Sequence, residues 1–130
     1  MKAIPTGASK ADINARRRII EAELSRLKGR SFRCPCLGGV PVGIIGDSIG
    51  EIAAHASKSL RSTTAALRLP DMISNAYFFK MHLPKNNKQR KKFKFIFIYE
   101  LHSHLETGYA KLMVGVRSEG RFLQYCITAQ

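Results

Sequence analysis

The sequence predicts an α+β fold, with N-terminal helices followed by a four-stranded antiparallel β-meander. Three observations lead there. Up to about residue 75 apolar side chains recur at helical spacing, and beyond Ala76 the period falls to two. The strand-like segments then follow one another through short turns, which suits a meander rather than a parallel sheet. A chain of 130 residues with 45% apolar content makes one compact domain, or one domain with an ordered arm. The expected division is a basic helical arm over 1–30 and an α+β domain over 31–130, with no internal repeats.

Residues 1–11 carry Pro5, Gly7 and Ser9 and read as a disordered lead. Asp12 suits the N-cap of a helix over 13–28, with Ile13, Arg17, Ile20, Leu24 and Leu27 on one face and Gly29 as its stop. Residues 31–36 form a short extended piece, Leu37, Gly38 and Gly39 a turn, and 40–45 a short strand or buried connector. Ser48 with Glu51 matches a capping box. Ile49, Ile52, Ala53, Ala56 and Leu60 then mark one amphipathic helix that weakens around 61–64. Pro70 and Asp71 open a further short helix, and Asn75 ends it.

The strands follow at 77–83, 93–101, 108–117 and 122–128. In the long second strand Phe93, Phe95, Phe97, Tyr99 and Leu101 are expected on one face, with Lys94, Ile96, Ile98 and Glu100 on the other.

Charge narrows the class of partner. Lys and Arg number 22 against 9 Asp and Glu, a formal net charge of +13. Such a balance asks for a polyanion, either nucleic acid or an anionic membrane surface. Between Lys80 and Lys94 there are seven basic residues (80, 85, 88, 90, 91, 92 and 94) and no acidic one. A hairpin loop of this kind lies along a phosphodiester backbone, and it lacks the amphipathic aromatic face of a membrane binder. The other reading of the loop is a solubilising surface. No apolar run approaches the ~18 residues of a membrane span. The first ten residues carry no apolar signal core, and Cys34-Pro35-Cys36 sits too close for an ordinary bridge. The expectation is a cytoplasmic site of synthesis and no membrane partner.

On the central helix His55, Ser59 and Ser62 fall in one stripe, with Lys58 beside them. An imidazole, an ammonium and hydroxyls on one face can move a proton and steady a phosphate, although a solvated helix face looks the same. Residues 57–64 hold five hydroxyl side chains, poor helix formers and good donors to phosphate oxygens. The strands add Tyr99, Glu100, His102, Ser103 and His104, then Lys111, Gln124, Tyr125 and Thr128. Carboxylates are scarce, and the Cys-Pro-Cys gap is too short for a zinc site. Neither metal nor cofactor is expected. RNA cleavage without metal needs a base for the 2′-hydroxyl, an acid for the leaving 5′-oxygen and donors for the phosphorane. His, Lys, Arg, Tyr, Ser and Thr suffice for that chemistry.

Ser48-Ile49, His55-Ala56-Ser57 seven residues on, and Leu69-Pro70 with Ile73 and Asn75 resemble a segment of the phage and mobile-element branch of the barnase, EndoU, colicin and RelE-like nucleases. The order of elements is similar over 48–128, while the specific residues lie in 48–75. Ala56 stands where that family has a glycine, and the downstream basic position is Lys58 or Arg61. The resemblance implies a nuclease-like domain over 31–130 that cleaves RNA without metal, as a toxin or mobile-element effector. It would be opposed by an immunity or antitoxin protein and could be delivered to a target cell.

On this reading His55 is the general base or acid, and Lys58 or Arg61 stabilises the phosphorane. Ser57 or Ser59 orients the phosphate. Tyr99, His102 or Thr128 supplies the second proton-transfer or hydrogen-bonding group. Lys85, Lys88, Arg90, Lys91, Lys92 and Lys94 hold the RNA backbone. The competing reading is a non-catalytic nucleic-acid-binding module.

Overall fold

The computed structural model describes residues 3–130. Helix α1 (Lys10–Ser25) starts earlier than Asp12 suggests, because the Ser9 hydroxyl takes the cap, accepting from the Asp12 amide at 3.1 Å. Its buried face runs Arg16, Ile20, Leu24, so Arg16 occupies the face where Arg17 is expected. The Arg16 guanidinium donates three hydrogen bonds to backbone carbonyls. Nε donates to the Ser57 carbonyl at 2.8 Å, and Nη1 donates to those of Pro5 at 2.9 Å and Gly7 at 2.7 Å. The lead read as disordered is thereby tied down at Pro5 and Gly7. The helix set apart over 1–30 packs on the two that follow it, with Ile20 and Leu24 inside the main core cluster.

Strands β1 (Ser31–Cys34) and β2 (Val40–Gly43) form an antiparallel hairpin around a 3-10 turn at Pro35–Leu37. They turn the expected four-stranded meander into a six-stranded mixed sheet. The order is β1-β2-β6-β5-β4-β3, and β2 runs parallel to β6 through Val42↔Phe122 and Gly43↔Leu123. Two four-residue pieces are too short to declare a period, so the sequence reads them as a short extended piece and a short strand or connector, outside the meander. Strands β3 (Tyr77–His82), β4 (Phe95–His104), β5 (Tyr109–Arg117) and β6 (Phe122–Ala129) do form the antiparallel meander.

The long central helix is two helices, α2 (Gly46–Ala56) and α3 (Leu60–Leu67), followed by α4 (Leu69–Ser74). No capping box forms. Helix α2 begins two residues ahead of Ser48, whose buried hydroxyl has no partner. The hydroxyl run at 57–64 makes the joint instead. Ser59 Oγ caps α3 by accepting from the Ser62 amide at 3.1 Å, and Thr63 Oγ1 donates to the carbonyls of Ala56 and Ser59 at 3.0 and 2.8 Å. The stripe of His55, Ser59 and Ser62 is therefore interrupted.

Helices α2 and α3 lie against β6 along the stretch that β2 leaves unpaired, where the Ala129 amide donates to Ser62 Oγ at 2.8 Å. Leu101, Leu112, Val114 and Ile127 face these helices, with Tyr99 packed at the margin. A register shift between Phe95 and Phe97 breaks the expected alternation in β4. Phe93 and Phe95 consequently leave the row of Tyr99 and Leu101. They join Ile98, Leu123 and Tyr125 in a smaller cluster on the far face.

That cluster depends on Gly115, since a Cβ there would sit 2.3 Å from the Phe95 ring carbons. Gly115→Ala is expected to cost about 1–3 kcal/mol of stability through overpacking. Urea unfolding checks it: an unchanged midpoint would mean that the ring moves aside freely.

Candidate functional site

On the sheet face away from the main core, a cleft of about 610 Å³ opens between α2, the basic loop and strands β5 and β6. Helix α2 contributes Glu51 and His55, one turn apart on the same side, because Ile49, Ile52, Ala53 and Ala56 commit its opposite side to the core. The loop contributes residues 86–89, and the strands contribute Lys111, Met113, Tyr125, Cys126 and Thr128. Loop shape is set by its own side chains. The Lys85 amide donates to Gln89 Oε1 at 2.6 Å, the Gln89 amide to Asn86 Oδ1 at 2.9 Å, and Arg90 Nη1 to the Pro84 carbonyl at 3.2 Å. A single π turn at Lys88–Lys92 then leads to buried Phe93.

Glu51 is the electrostatic centre of the cleft. Its Oε1 lies 2.7 Å from Lys88 Nζ and its Oε2 lies 3.3 Å from His55 Nε2. Glu51 is buried, whereas the side chains of Lys88 and His55 remain 50% and 43% exposed. Burial pushes the Glu51 carboxyl up, but the hydrogen bond and charge of Lys88, with those of His55, outweigh it and hold the group below its ordinary range. Tyr125 shows the converse. Burial, then the Glu51 charge, push its phenol up to about 12, so it stays a donor at neutral pH. Burial likewise pushes the Cys126 thiol up to about 12, so no thiolate stands ready in the cleft.

A second network adjoins the first on the same sheet face. Glu100 accepts from His102 Nε2 at 2.6 Å and pairs with His82 Nε2 at 2.7 Å. Burial raises this carboxyl, but bonds from His102 and His82 and the charge of Lys111 bring it below its ordinary range. Cross-strand register aligns Tyr77, His102, Lys111 and Thr128 in one row over β3, β4, β5 and β6.

Of the residues the sequence nominates, the structure brings His55, Lys88 and Thr128 into the cleft. His102 shares the face, buried and opposite Lys111 in register. Others lie elsewhere. Tyr99 is on the helix side, packed against Phe78, Phe97 and Phe122. Ser57 is buried at the end of α2, its carbonyl held by Arg16, and Ser59 is a helix cap. Lys58 is exposed at the joint, while Arg61 bonds the Thr107 carbonyl and lines a separate cleft with Arg68 and Glu106. Lys85, Arg90, Lys91 and Lys94 stay on the exposed loop, and Lys92 stands 4.0 Å from Asp47.

The sequence gives Glu51 no part in the site, and it names Lys111 and Tyr125 only among the polar side chains of the strands, without a role. The i, i+4 spacing of Glu51 and His55 was a usable signal, obscured because Glu51 also completed a capping-box pattern. Lys111 stands as the lone charge between Tyr109 and Val116 in an otherwise apolar strand. No protein-family model, curated protein or solved structure matches the chain. Among the described residues no helix is long and apolar enough to cross a membrane, and no group of three or more His, Cys, Asp or Glu is arranged to hold a metal ion.

The lowered carboxyls of Glu51 and Glu100 set the sign of the acid response. A depressed folded value adds stability above the unfolded carboxyl pKa of about 4.3 and loses it as pH falls through the folded value. Glu100→Gln is expected to be less stable than the parent at neutral pH and to lose less on acidification to about pH 3. Urea midpoints at both pH values check this, and parallel losses in the two proteins would show that Glu100 contributes nothing to the acid response.

Proposed function

We propose that the chain binds RNA in the cleft between α2 and the sheet and cleaves it by metal-independent acid–base transesterification. The observation that supports this reading is the meeting of a histidine, an ionised carboxylate, two lysines and a phenol in one open cleft of a chain of net charge +13. In the reaction the 2′-oxygen attacks the adjacent phosphorus and the P–O5′ bond breaks. The products are a 2′,3′-cyclic phosphate and a 5′-hydroxyl.

Glu51, held ionised, takes the 2′-hydroxyl proton once phosphate draws Lys88 onto itself. His55 as imidazolium gives a proton to the leaving 5′-oxygen. Lys88 and Lys111 neutralise the phosphorane, and Tyr125 and Thr128 donate hydrogen bonds to it. The exposed cations of the loop hold flanking phosphates. Lys88 and Lys111 thus replace Lys58 and Arg61 in the role expected from the sequence. The same reading carries the resemblance to phage and mobile-element nucleases, with a role as a toxin or effector restrained by an immunity or antitoxin protein.

Purified protein incubated with total RNA in EDTA is expected to yield fragments ending in 2′,3′-cyclic phosphate. His55→Ala is expected to slow cleavage about 10²–10⁴-fold while leaving salt-dependent RNA binding unchanged. A wild-type chain that binds RNA but never cuts it would replace this reading with that of a passive nucleic-acid-binding module.

A further inference from the structure

We infer that the sheet face beside the cleft is a stacking platform for an unpaired base, which makes single-stranded RNA the substrate class. This rests on the cleft being an RNA site, and it adds a feature that acid–base chemistry does not require. Strand β3 is an edge of the sheet, where proteins usually place polar or charged side chains. Here Phe79 is 55% and Tyr77 39% exposed.

The Phe79 ring is nonetheless firmly placed. The register shift between Phe78 and Lys80 leaves it as the extra residue, stacked on His102 at 4.1 Å between centroids and 18° between planes. Tyr109 stacks on His102 at 4.1 Å and 22°. Two rings at that distance cannot share one face, so His102 is sandwiched between them. The hydrogen bond to Glu100, which His82 also engages, fixes the orientation of the middle ring. The stack therefore ends in an exposed phenylalanine backed by a hydrogen-bonded imidazole. Exposed aromatics on a β-sheet beside lysines are how sheets hold bases of single strands.

Position ties the platform to the cleft. Lys111 lies opposite His102 in register and lines the cleft. With Phe79 over the next strand, the two are separated by about two strand spacings, ~10 Å. A phosphate at Lys111 can thus belong to a nucleotide next to the one whose base rests on Phe79. In a duplex both faces of each base are already covered, so the platform has no use for one. The +13 charge favours a polyanion here over a second copy of the chain, which would carry the same charge.

The test uses the full chain carrying His55→Ala, so that RNA survives, with a single-stranded RNA oligomer containing one 2-aminopurine and the corresponding duplex as probes. The single strand is expected to bind more tightly than the duplex, with quenching of the 2-aminopurine. Adding Phe79→Ala is expected to weaken single-strand binding roughly 5- to 150-fold and abolish the quenching. Phe79→Tyr should restore both, and duplex binding should ignore either change. Binding of the single strand that is indifferent to Phe79 overturns the platform and leaves the RNA site standing. Absence of any RNA binding overturns both. A Phe79→Ala change that only converts a dimer to a monomer marks β3 as a protein contact and overturns the platform.

Discussion

The carboxylate of Glu51 is where helix α2, the basic loop and the sheet meet, and the shape of the cleft depends on it. A buried carboxylate without partners would be costly, and this one is offset by Lys88 from the loop and His55 from the next helical turn. The pairing draws a lysine-rich loop down over the sheet when self-repulsion would spread it into solvent. It also leaves the cations half exposed, so an incoming phosphate can recruit them without displacing them from a dry interior. A hydrophobic contact at this point could close the loop equally well, but the cleft would then lack both its anion and the ordered position of its imidazole.

The sheet divides its labour by face. Leu101, Leu112, Val114 and Ile127 turn toward the helices, and on the reverse the same strands present Glu100, His102, Lys111, Cys126 and Thr128. Register shifts edit this alternation locally. One sends Phe93 and Phe95 to the reverse face, and another lets Tyr125 enter the cleft beside Cys126. In the second, buried Gln124 stitches the irregular backbone, its Nε2 donating to the Cys126 carbonyl at 2.9 Å and to that of Met113 at 3.4 Å. Polar function on one face is thus compatible with a dry core on the other.

Much of this architecture was legible from residue order. The change of period at Ala76 and the four long strands follow directly from it. His55 and Thr128, singled out from their chemistry, do share a cleft. What the sequence hid has physical causes. A capping-box pattern at Ser48 and Glu51 competes with a helix start at Gly46 and loses, which frees Glu51 for Lys88. A helical wheel drawn through 48–62 assumes continuity that the Ser59 cap ends, so Ser59 and Arg61 turn to other partners. The bulge between Phe95 and Phe97 carries no mark in composition and moves Phe93 and Phe95 across the sheet. Tyr99 keeps the face that alternation gives it, opposite Glu100 and His102, and so away from the reactive side chains. The parallel contact of β2 with β6 joins residues about eighty positions apart, beyond the reach of any local pattern.

That contact bears on how the molecule is made. Strand β6 lies inside the sheet, between β2 and β5, and α2 and α3 rest on it. During synthesis the helices, the hairpin and three strands emerge before the piece against which they pack. Long-range pairing of this kind comes late and leaves apolar surface waiting. Tyr125 and Thr128 reside on the same strand, so the cleft has no far wall until residues 122–129 have left the ribosome. A nascent chain, or one truncated before β6, carries the basic loop and His55 without the surface that organises them. Completion of the cleft thus waits on the same strand that ties the hairpin to the meander.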